Sequence, residues 1–252
     1  MKQLTAFIRK EFMELTRTGK LFILMILFIL FGIMNPAIAK LTPWMMDNLV
    51  ETGFALPAVD VNALTSWTQF YKNIPIALIV FLLLFSSTLT LEYQKGTLIN
   101  MVTKGMKRWK IIVSKAVSIC LLWTAGIWLC YGITYGYNAY FWDNRIASHL
   151  YFSAFCFYLA GLWLISVLLL LSVFFRTNSL VIISTGGTFL IFYLLGLLPD
   201  IKNYLPVYLM GASRLLTGSG KISEYIFAVL FTLALSAGNI SAAVLCFNKR
   251  NI

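Results

Sequence analysis

Residues 21–39 read LFILMILFILFGIMNPAIA, a run of nineteen positions without a single Asp, Glu, Lys or Arg. A helix needs about 20 predominantly apolar residues to cross the hydrocarbon core of a bilayer. This stretch therefore predicts a membrane-spanning helix.

Five more segments of this kind follow. The whole chain is 60% hydrophobic and 12% charged, which lies outside the usual range of soluble domains. Only the third segment contains a charged residue, Lys115, whose long stem we expect to reach the membrane interface. We predict an all-α membrane protein with a single transmembrane domain over residues 1–252 and six spans, at 21–39, 74–91, 111–137, 150–175, 180–198 and 225–247.

The distribution of positive charge predicts the orientation of these spans. With the N-terminus inside, fourteen of the twenty Lys and Arg residues and three of the nine acids lie on the inner side, so the net charge of +11 lies entirely there. Cytoplasmic segments of membrane proteins carry such an excess. Both termini are therefore predicted to be cytoplasmic. The same distribution argues against nucleic acid as a partner, because that would need a solvated basic face.

The first twenty residues have the pattern of an interfacial helix. Leu4, Phe7, Ile8, Phe12 and Leu15 recur at helical spacing. The charged residues are expected largely on the other faces, so the helix would lie on the inner surface in contact with lipid. A plain positive-inside tail is the alternative. The charged residues assigned to this helix are Arg9, Lys10 and Glu11.

Two segments are predicted on the outer side. Residues 40–73 are expected to form the longest outer loop, and 199–223 are too rich in Pro and Gly to span. The short apolar stretch Tyr204–Met210 suggests a partly inserted, re-entrant outer region, which is tolerated where protein buries it.

The sequence lacks the motifs of several other classes of protein. Gly218-Ser219-Gly220-Lys221 is followed by Ile222, not by the Ser or Thr of a phosphate loop, so we expect a turn and no nucleotide or other cofactor in this chain. His149 is the sole histidine and lies at a predicted membrane edge, so no catalytic residue and no metal site is predicted. A gradient-driven transporter or channel remains the alternative to an ATP-driven one, and an intramembrane enzyme is a third, weaker hypothesis.

The inner loop at 92–110 carries the most specific pattern. It reads Glu92-Tyr93-Gln94-Lys95-Gly96-Thr97-Leu98, is followed by a basic run, and precedes Lys115 on the next span. A carboxylate at the end of an apolar helix is costly unless it is paired, so a Lys or Arg partner is expected for Glu92. An ordinary positive-inside loop is the alternative.

This pattern resembles the signature of ABC type-2 permeases, in which Glu-x-x-x-Gly-Thr is followed by a basic turn and a Lys on the next helix. The amphipathic start and six spans in about 250 residues are similar too, although the Pro that often precedes the basic turn is absent here. The resemblance implies a bacterial plasma-membrane subunit that pairs with a second permease copy or homologue and rests on a cytoplasmic ATPase, which binds the ATP and Mg²⁺. It implies a role in ATPase coupling for Glu92, Tyr93, Gly96, Thr97, Lys104, Arg108 and Lys115.

The predicted spans contain hydroxyl and amide side chains but no charged residue in their middle that could bind a charged cargo. An apolar, hydroxyl-lined pathway suits amphipathic peptides or other lipophilic compounds, and the chain is similar in size to phenol-soluble modulin exporters. Such polar residues more often hold helices together than bind cargo. Gly132 and Gly136 form a GxxxG pattern that could allow close helix packing. The pathway candidates are Ser86, Ser87, Thr90, Ser184, Thr185, Thr188 and Asn239.

Overall fold

The computed structural model describes residues 2–51, 61–103 and 107–249. Over these residues the chain is helical and contains no β-strand. Three 3₁₀ segments, Asn144–Ile146, Lys202–Tyr204 and Pro206–Thr217, lie between the α-helices. The α-helices are α1 Lys2–Arg17, α2 Lys20–Glu51, α3 Ala63–Phe85, α4 Ser87–Gln94, α5 Thr97–Thr103, α6 Arg108–Phe141, α7 Leu150–Phe174, α8 Asn178–Leu195 and α9 Ser223–Lys249.

Six of these helical segments are long and apolar enough to cross a membrane, which confirms the predicted fold class. They overlap the six predicted spans one for one, with α3 and α4 together forming the second. α2 has 32 residues and α6 has 34. At 1.5 Å per residue these helices are about 50 Å long and project beyond a hydrocarbon core of about 30 Å.

The predicted outer loop at 40–73 is wrong in extent. α2 continues to Glu51 and α3 begins at Ala63, so most of that loop is helix. Pro36 and Pro43 do not end α2, because other groups can satisfy the backbone carbonyls that proline leaves free in a membrane helix. Asn62 fixes the start of α3, where its side chain accepts a hydrogen bond from the Thr65 backbone N–H.

The second span is interrupted at Ser86, the residue between α3 and α4. The ammonium group of Lys20 donates to the carbonyl oxygen of Leu84 at 2.9 Å and to the hydroxyl of Ser87 at 2.8 Å. The last carbonyl groups of a helix have no N–H partner within the helix. Lys20, in the first turn of α2, therefore stabilises the end of α3 by donating to one of them.

The main core lies between α2, α3, α6 and α7, and it is rich in aromatic side chains. Two glycines on its helices permit close packing: a Cβ on Gly126 would lie 2.3 Å from the Phe28 ring, and one on Gly161 would lie 2.3 Å from the Trp123 ring. Gly132 and Gly136 have no heavy atom within 4 Å of such a Cβ, so within this chain the GxxxG pattern is not a close-packing site.

The segment 199–223 folds back onto the bundle. Leu209, Ala212 and Leu215 in Pro206–Thr217 are buried against α7 and the start of α9. The hydroxyl of Ser153 on α7 donates to the Ala212 carbonyl at 2.7 Å. The stretch that resembled a phosphate loop begins with Gly218 in a left-handed turn (φ 71°), so it is a turn, as expected.

The beginning of α6 contacts both α1 and the end of α9, the first and last helices that the structure describes. The Arg108 guanidinium at the start of α6 donates to the Asn248 carbonyl at the end of α9 at 3.3 Å. α1 packs along the beginning of α6. We call this end of the bundle, made of residues 2–20, 92–103, 107–115 and 245–249, the basic end, and the opposite end the far end.

Candidate functional site

A cluster of five charged side chains lies at the basic end, where α1, α4 and α6 meet. Lys10, Glu11 and Glu14 come from α1, Glu92 comes from the last turn of α4, and Lys115 comes from the second turn of α6. We call these five residues the charge cluster. It unites Lys10 and Glu11, expected on the interfacial helix, with Glu92 and Lys115, expected in coupling.

Lys115 is the centre of the charge cluster. Its ammonium nitrogen lies 3.0 Å from Glu92 Oε1 and 3.2 Å from each carboxylate oxygen of Glu11. Lys115 is 2% exposed, Glu11 5% and Glu92 6%. The prediction that Glu92 needs a basic partner is confirmed. Lys115 does not extend to the surface of the bundle, because α1 covers it and supplies a second carboxylate; its reach to the membrane interface stays a prediction.

Lys10 connects the buried pairs to the surface of the bundle. Its ammonium lies 3.3 Å from Glu92 Oε1, 3.5 Å from Glu11 Oε1 and 3.1 Å from Glu14 Oε2. Burial opposes the charge of Lys10, but the carboxylates of Glu92, Glu11 and Glu14 outweigh it and raise the Lys10 pKa. Burial likewise favours neutral Glu14, yet the hydrogen bond and charge of Lys10 lower the Glu14 pKa. Both groups are therefore charged near neutral pH.

Helical spacing places Glu11 in the charge cluster. Phe7, Glu11 and Leu15 are four residues apart, and all three are buried. The expectation that Glu11 would lie away from the apolar face of α1 is therefore wrong. Glu11 lies on the face of α1 that packs against α6. A carboxylate can be buried there because Lys115 on α6 neutralises it.

A second local feature fixes α5 beside the charge cluster. Gly96 follows α4 with φ 63°, the left-handed conformation that commonly ends a helix and favours glycine. The Thr97 hydroxyl contacts the Glu92 carbonyl at 3.4 Å. Leu98 is buried in a small core with Phe7 and Ile111, and half-buried Tyr93 packs against it. The predicted inner loop is thus largely helical.

The other predicted residues of the basic end have different positions. Arg108 connects α6 to α9 through the Asn248 carbonyl. Arg9 is exposed on α1. Lys104 lies outside the described residues. Of the seven residues assigned to coupling, Glu92, Tyr93, Gly96, Thr97 and Lys115 are therefore grouped around the α4–α5 junction.

Three carboxylates converge in the charge cluster: one oxygen each of Glu11, Glu14 and Glu92 lies within 4.8 Å of the others. Lys10 and Lys115 lie between them and supply two positive charges. The described residues therefore neutralise most of this acidity without a metal ion. Oε2 of Glu92 is buried and has no hydrogen-bond partner within the described part of the chain.

The pathway candidates are not brought together within one copy of the chain. The hydroxyls of Ser86, Ser184, Thr185 and Thr188 each donate to a carbonyl three or four residues earlier in their own helix. The remaining three bind other helices: Ser87 accepts from Lys20, Thr90 donates to the Asn178 side chain at the start of α8, and Asn239 donates to Ser166. Their role in a pathway remains a prediction.

Sequence reasoning missed a buried polar network in the bundle. Asn73 donates to Asn35 at 2.8 Å, Asn35 donates to Thr134 at 3.1 Å, and Thr134 donates to the Gly32 carbonyl at 3.1 Å. The available signal was Pro36, which lacks the N–H that would have bonded Gly32. Together with the polar residue Asn35 beside it, this proline indicated that the Gly32 carbonyl needs a hydrogen-bond donor from another helix.

Comparison with known families supports the pattern found at 92–115. The model of the family described as ABC-2 family transporter protein matches residues 5–200, which include most of α1, the charge cluster and five of the six spans completely. No curated protein matches the chain.

Proposed function

The chain belongs to the ABC-2 family of transporter proteins, and from this premise we propose that it is the permease subunit of an ATP-driven exporter. In this proposal the basic end faces the cytoplasm and rests on a separate ATP-binding subunit, which holds the ATP and Mg²⁺. The subunit works in a bacterial plasma membrane together with a second permease copy or homologue.

The observation that carries this proposal is the charge cluster. It connects α1, α4 and α6. Its member Glu92 lies in the last turn of α4, directly before α5. A force applied to α5 from outside the bundle would reach three helices through ion pairs of 3.0–3.3 Å and would not be lost in a flexible loop. Such a joint suits a protein that is moved by another subunit.

Burial makes this joint stiff. Separating Lys115 from its carboxylates would leave charges in a region from which water is excluded, and breaking a buried pair costs about 3–5 kcal/mol. The cluster therefore favours movement of α1, α4 and α6 as one body. ATP binding would then shift the permease between two discrete states through its differential affinity for them.

The composition of the spans supports an apolar or amphipathic cargo. The five residues of the charge cluster lie at the basic end of the bundle. α3 contains one charged residue, Lys72, and it lies in the half of the helix that is closer to the far end. The middle of the described spans thus offers apolar surface, hydroxyls and amides. We propose amphipathic peptides or other lipophilic compounds as cargo, because a fixed charge at bilayer depth would be expected for ions or polar solutes.

The proposal is tested with a candidate ATP-binding subunit, sought first among the reading frames that neighbour the gene of this chain. Both would be co-expressed, purified and placed in proteoliposomes, and ATP hydrolysis and uptake of a fluorescent amphipathic helical peptide would be measured together. We expect Glu92→Lys to reduce peptide uptake per ATP hydrolysed at least tenfold, roughly the effect of 1.4 kcal/mol of lost coupling. Glu224→Lys, an equal charge reversal at an exposed far-end position, is the matched control.

Normal export by the Glu92→Lys protein would remove the coupling role. Failure of the two subunits to co-purify would remove the ATP-driven class. Peptide flux in liposomes without any ATP-binding subunit would instead favour the gradient-driven alternative.

A further inference from the structure

Two adjoining cavities run along α8 on the side that faces α3 and α7. The first, the apolar groove, has a volume of about 380 Å³ and is lined by α3, α7, α8 and Met210, without a charged residue. The second, the cationic pocket, has a volume of about 440 Å³ and lies between α8, the segment 202–214 and Tyr225. Phe189 and Met210 line both, so the two cavities are direct neighbours.

The cationic pocket has one sign of charge. Lys202 and Arg214 are the charged residues among those that line it, and both are exposed. Neither forms a salt bridge within the described residues. The carboxylate of Glu224 interacts electrostatically with the hydroxyl of Tyr208, which lines the pocket, but Glu224 itself is not a lining residue. Tyr193, Tyr208 and Tyr225 supply further hydroxyls at this position.

The apolar groove presents hydrocarbon alone. Its one hydroxyl residue, Thr185, donates to the Val181 carbonyl of its own helix at 2.7 Å. Gly186 has no side chain, which leaves open space at this point of the groove wall. A Cβ placed there would have no heavy atom within 4 Å. The residues of α8 that line the two cavities run from Ile182 to Tyr193, twelve residues that span about 17 Å of the helix.

We propose that the two cavities form one binding site for an anionic amphipath with a single acyl chain, which enters from the surrounding bilayer. The chain lies in the apolar groove, and the anionic head is bound by Lys202 and Arg214 in the cationic pocket. Charge complementarity selects this occupant, because a neutral helix of a second copy would leave both cations without a partner. The site belongs to the permease chain itself and does not depend on the proposed coupling to ATP.

The test is a competition for the purified permease chain, without an ATP-binding subunit. Equal amounts of myristoyl-lysophosphatidylglycerol and myristoyl-lysophosphatidylcholine are added, and the bound lysolipids are counted by native mass spectrometry. These probes share one acyl chain and differ in net charge. We expect the anionic probe to be retained about tenfold better, as one additional charge-assisted contact would give. Inorganic phosphate, which lacks a chain, should not displace it.

Two pairs of variants separate the roles of the two cavities. Lys202→Gln with Arg214→Gln should abolish the preference between the probes, whereas Lys221→Gln, at an exposed far-end cation outside the pocket, should keep it. Gly186→Leu should reduce binding of both probes by filling the apolar groove. Gly187→Leu is the matched control, since its Cβ position is equally open but it does not line the groove.

Several results would overturn the proposal. Equal retention of the two probes by the parent protein would do so, as would unchanged binding in Gly186→Leu. If Gly186→Leu instead dissociated a dimer and left lysolipid binding intact, the groove would be a contact between copies, not a ligand site. Because the ATP-binding subunit is absent, none of these outcomes bears on coupling.

Discussion

At the scale of single residues, Lys115 determines whether the basic end holds together. It neutralises Glu11 and Glu92 at once, while Lys10 serves Glu92 and Glu14 from the surface side. The need for a partner at Glu92 could be predicted, because an apolar helix ends there. Glu11 shares the helical face of Phe7 and Leu15, which the spacing does show, but the sequence could not show that this face of α1 meets Lys115 on α6.

We predict that Lys115→Met destabilises the protein by about 3–5 kcal/mol, because two buried carboxylates lose their shared counter-ion. Glu11→Gln combined with Lys115→Met should recover most of that loss, since Lys10 still pairs with Glu92. Unfolding in detergent, followed by circular dichroism, measures both. Lys95→Met, at an exposed neighbour of the cluster, should change stability by less than about 0.5 kcal/mol. Equal losses in the single and double variants would contradict the pairing.

At the scale of elements, the existence of the six spans followed from apolar length, but their ends did not. The boundaries of α2 and α3 depend on contacts between distant helices, and sequence patterns do not record those. The polar network around Pro36 is the clearest case. Pro36 lies inside the predicted first span, and the sequence gives no sign that Thr134 on α6 supplies the donor that Gly32 loses there, so that the helix continues to Glu51.

This account of Pro36 gives a second prediction. Thr134→Val should cost about 1–3 kcal/mol, because it leaves the Gly32 carbonyl and the Asn35 amide without a partner. In a Pro36→Ala background the cost should fall, since residue 36 then has an N–H for Gly32. Thr188→Val, which removes only a hydroxyl bonded within its own helix, is the control. Strictly additive losses in the two backgrounds, measured by thermal unfolding, would argue against the compensation.

The α4–α5 junction gives a third prediction. Gly96→Val should misplace α5 and lower uptake per ATP hydrolysed, because a β-branched residue at φ 63° is strained. Gly96→Asn should retain coupling, because Asn accepts the left-handed conformation and the Cβ position is open. The proteoliposome assay with the ATP-binding subunit measures both. If Val and Asn behaved alike, the conformation of residue 96 would not matter for coupling.

At the scale of the whole molecule, the two ends of the bundle differ in chemistry. The basic end has a buried ion-pair network and a small core that join α1, α4, α5, α6 and α9. α8 has only Val181 and Thr185 fully buried, both in its first half, and it lines open cavities from there towards the far end. The sequence predicted the charge asymmetry between the two sides. It could not predict these cavities, because they depend on how α8 packs against α3, α7 and the segment 202–214.

Cross-linking tests most directly whether an external subunit drives the bundle from its basic end. In a cysteine-free background, Lys95→Cys at the α4–α5 junction and Lys221→Cys at the far end would each be treated with a short bifunctional maleimide in membranes containing the ATP-binding subunit. Both positions are exposed lysines, so their reactivity is matched. The account predicts a cross-link from position 95 to the ATP-binding subunit and none from position 221. A cross-link from position 221 alone, or labelling of position 95 by an impermeant maleimide added outside intact cells, would contradict it.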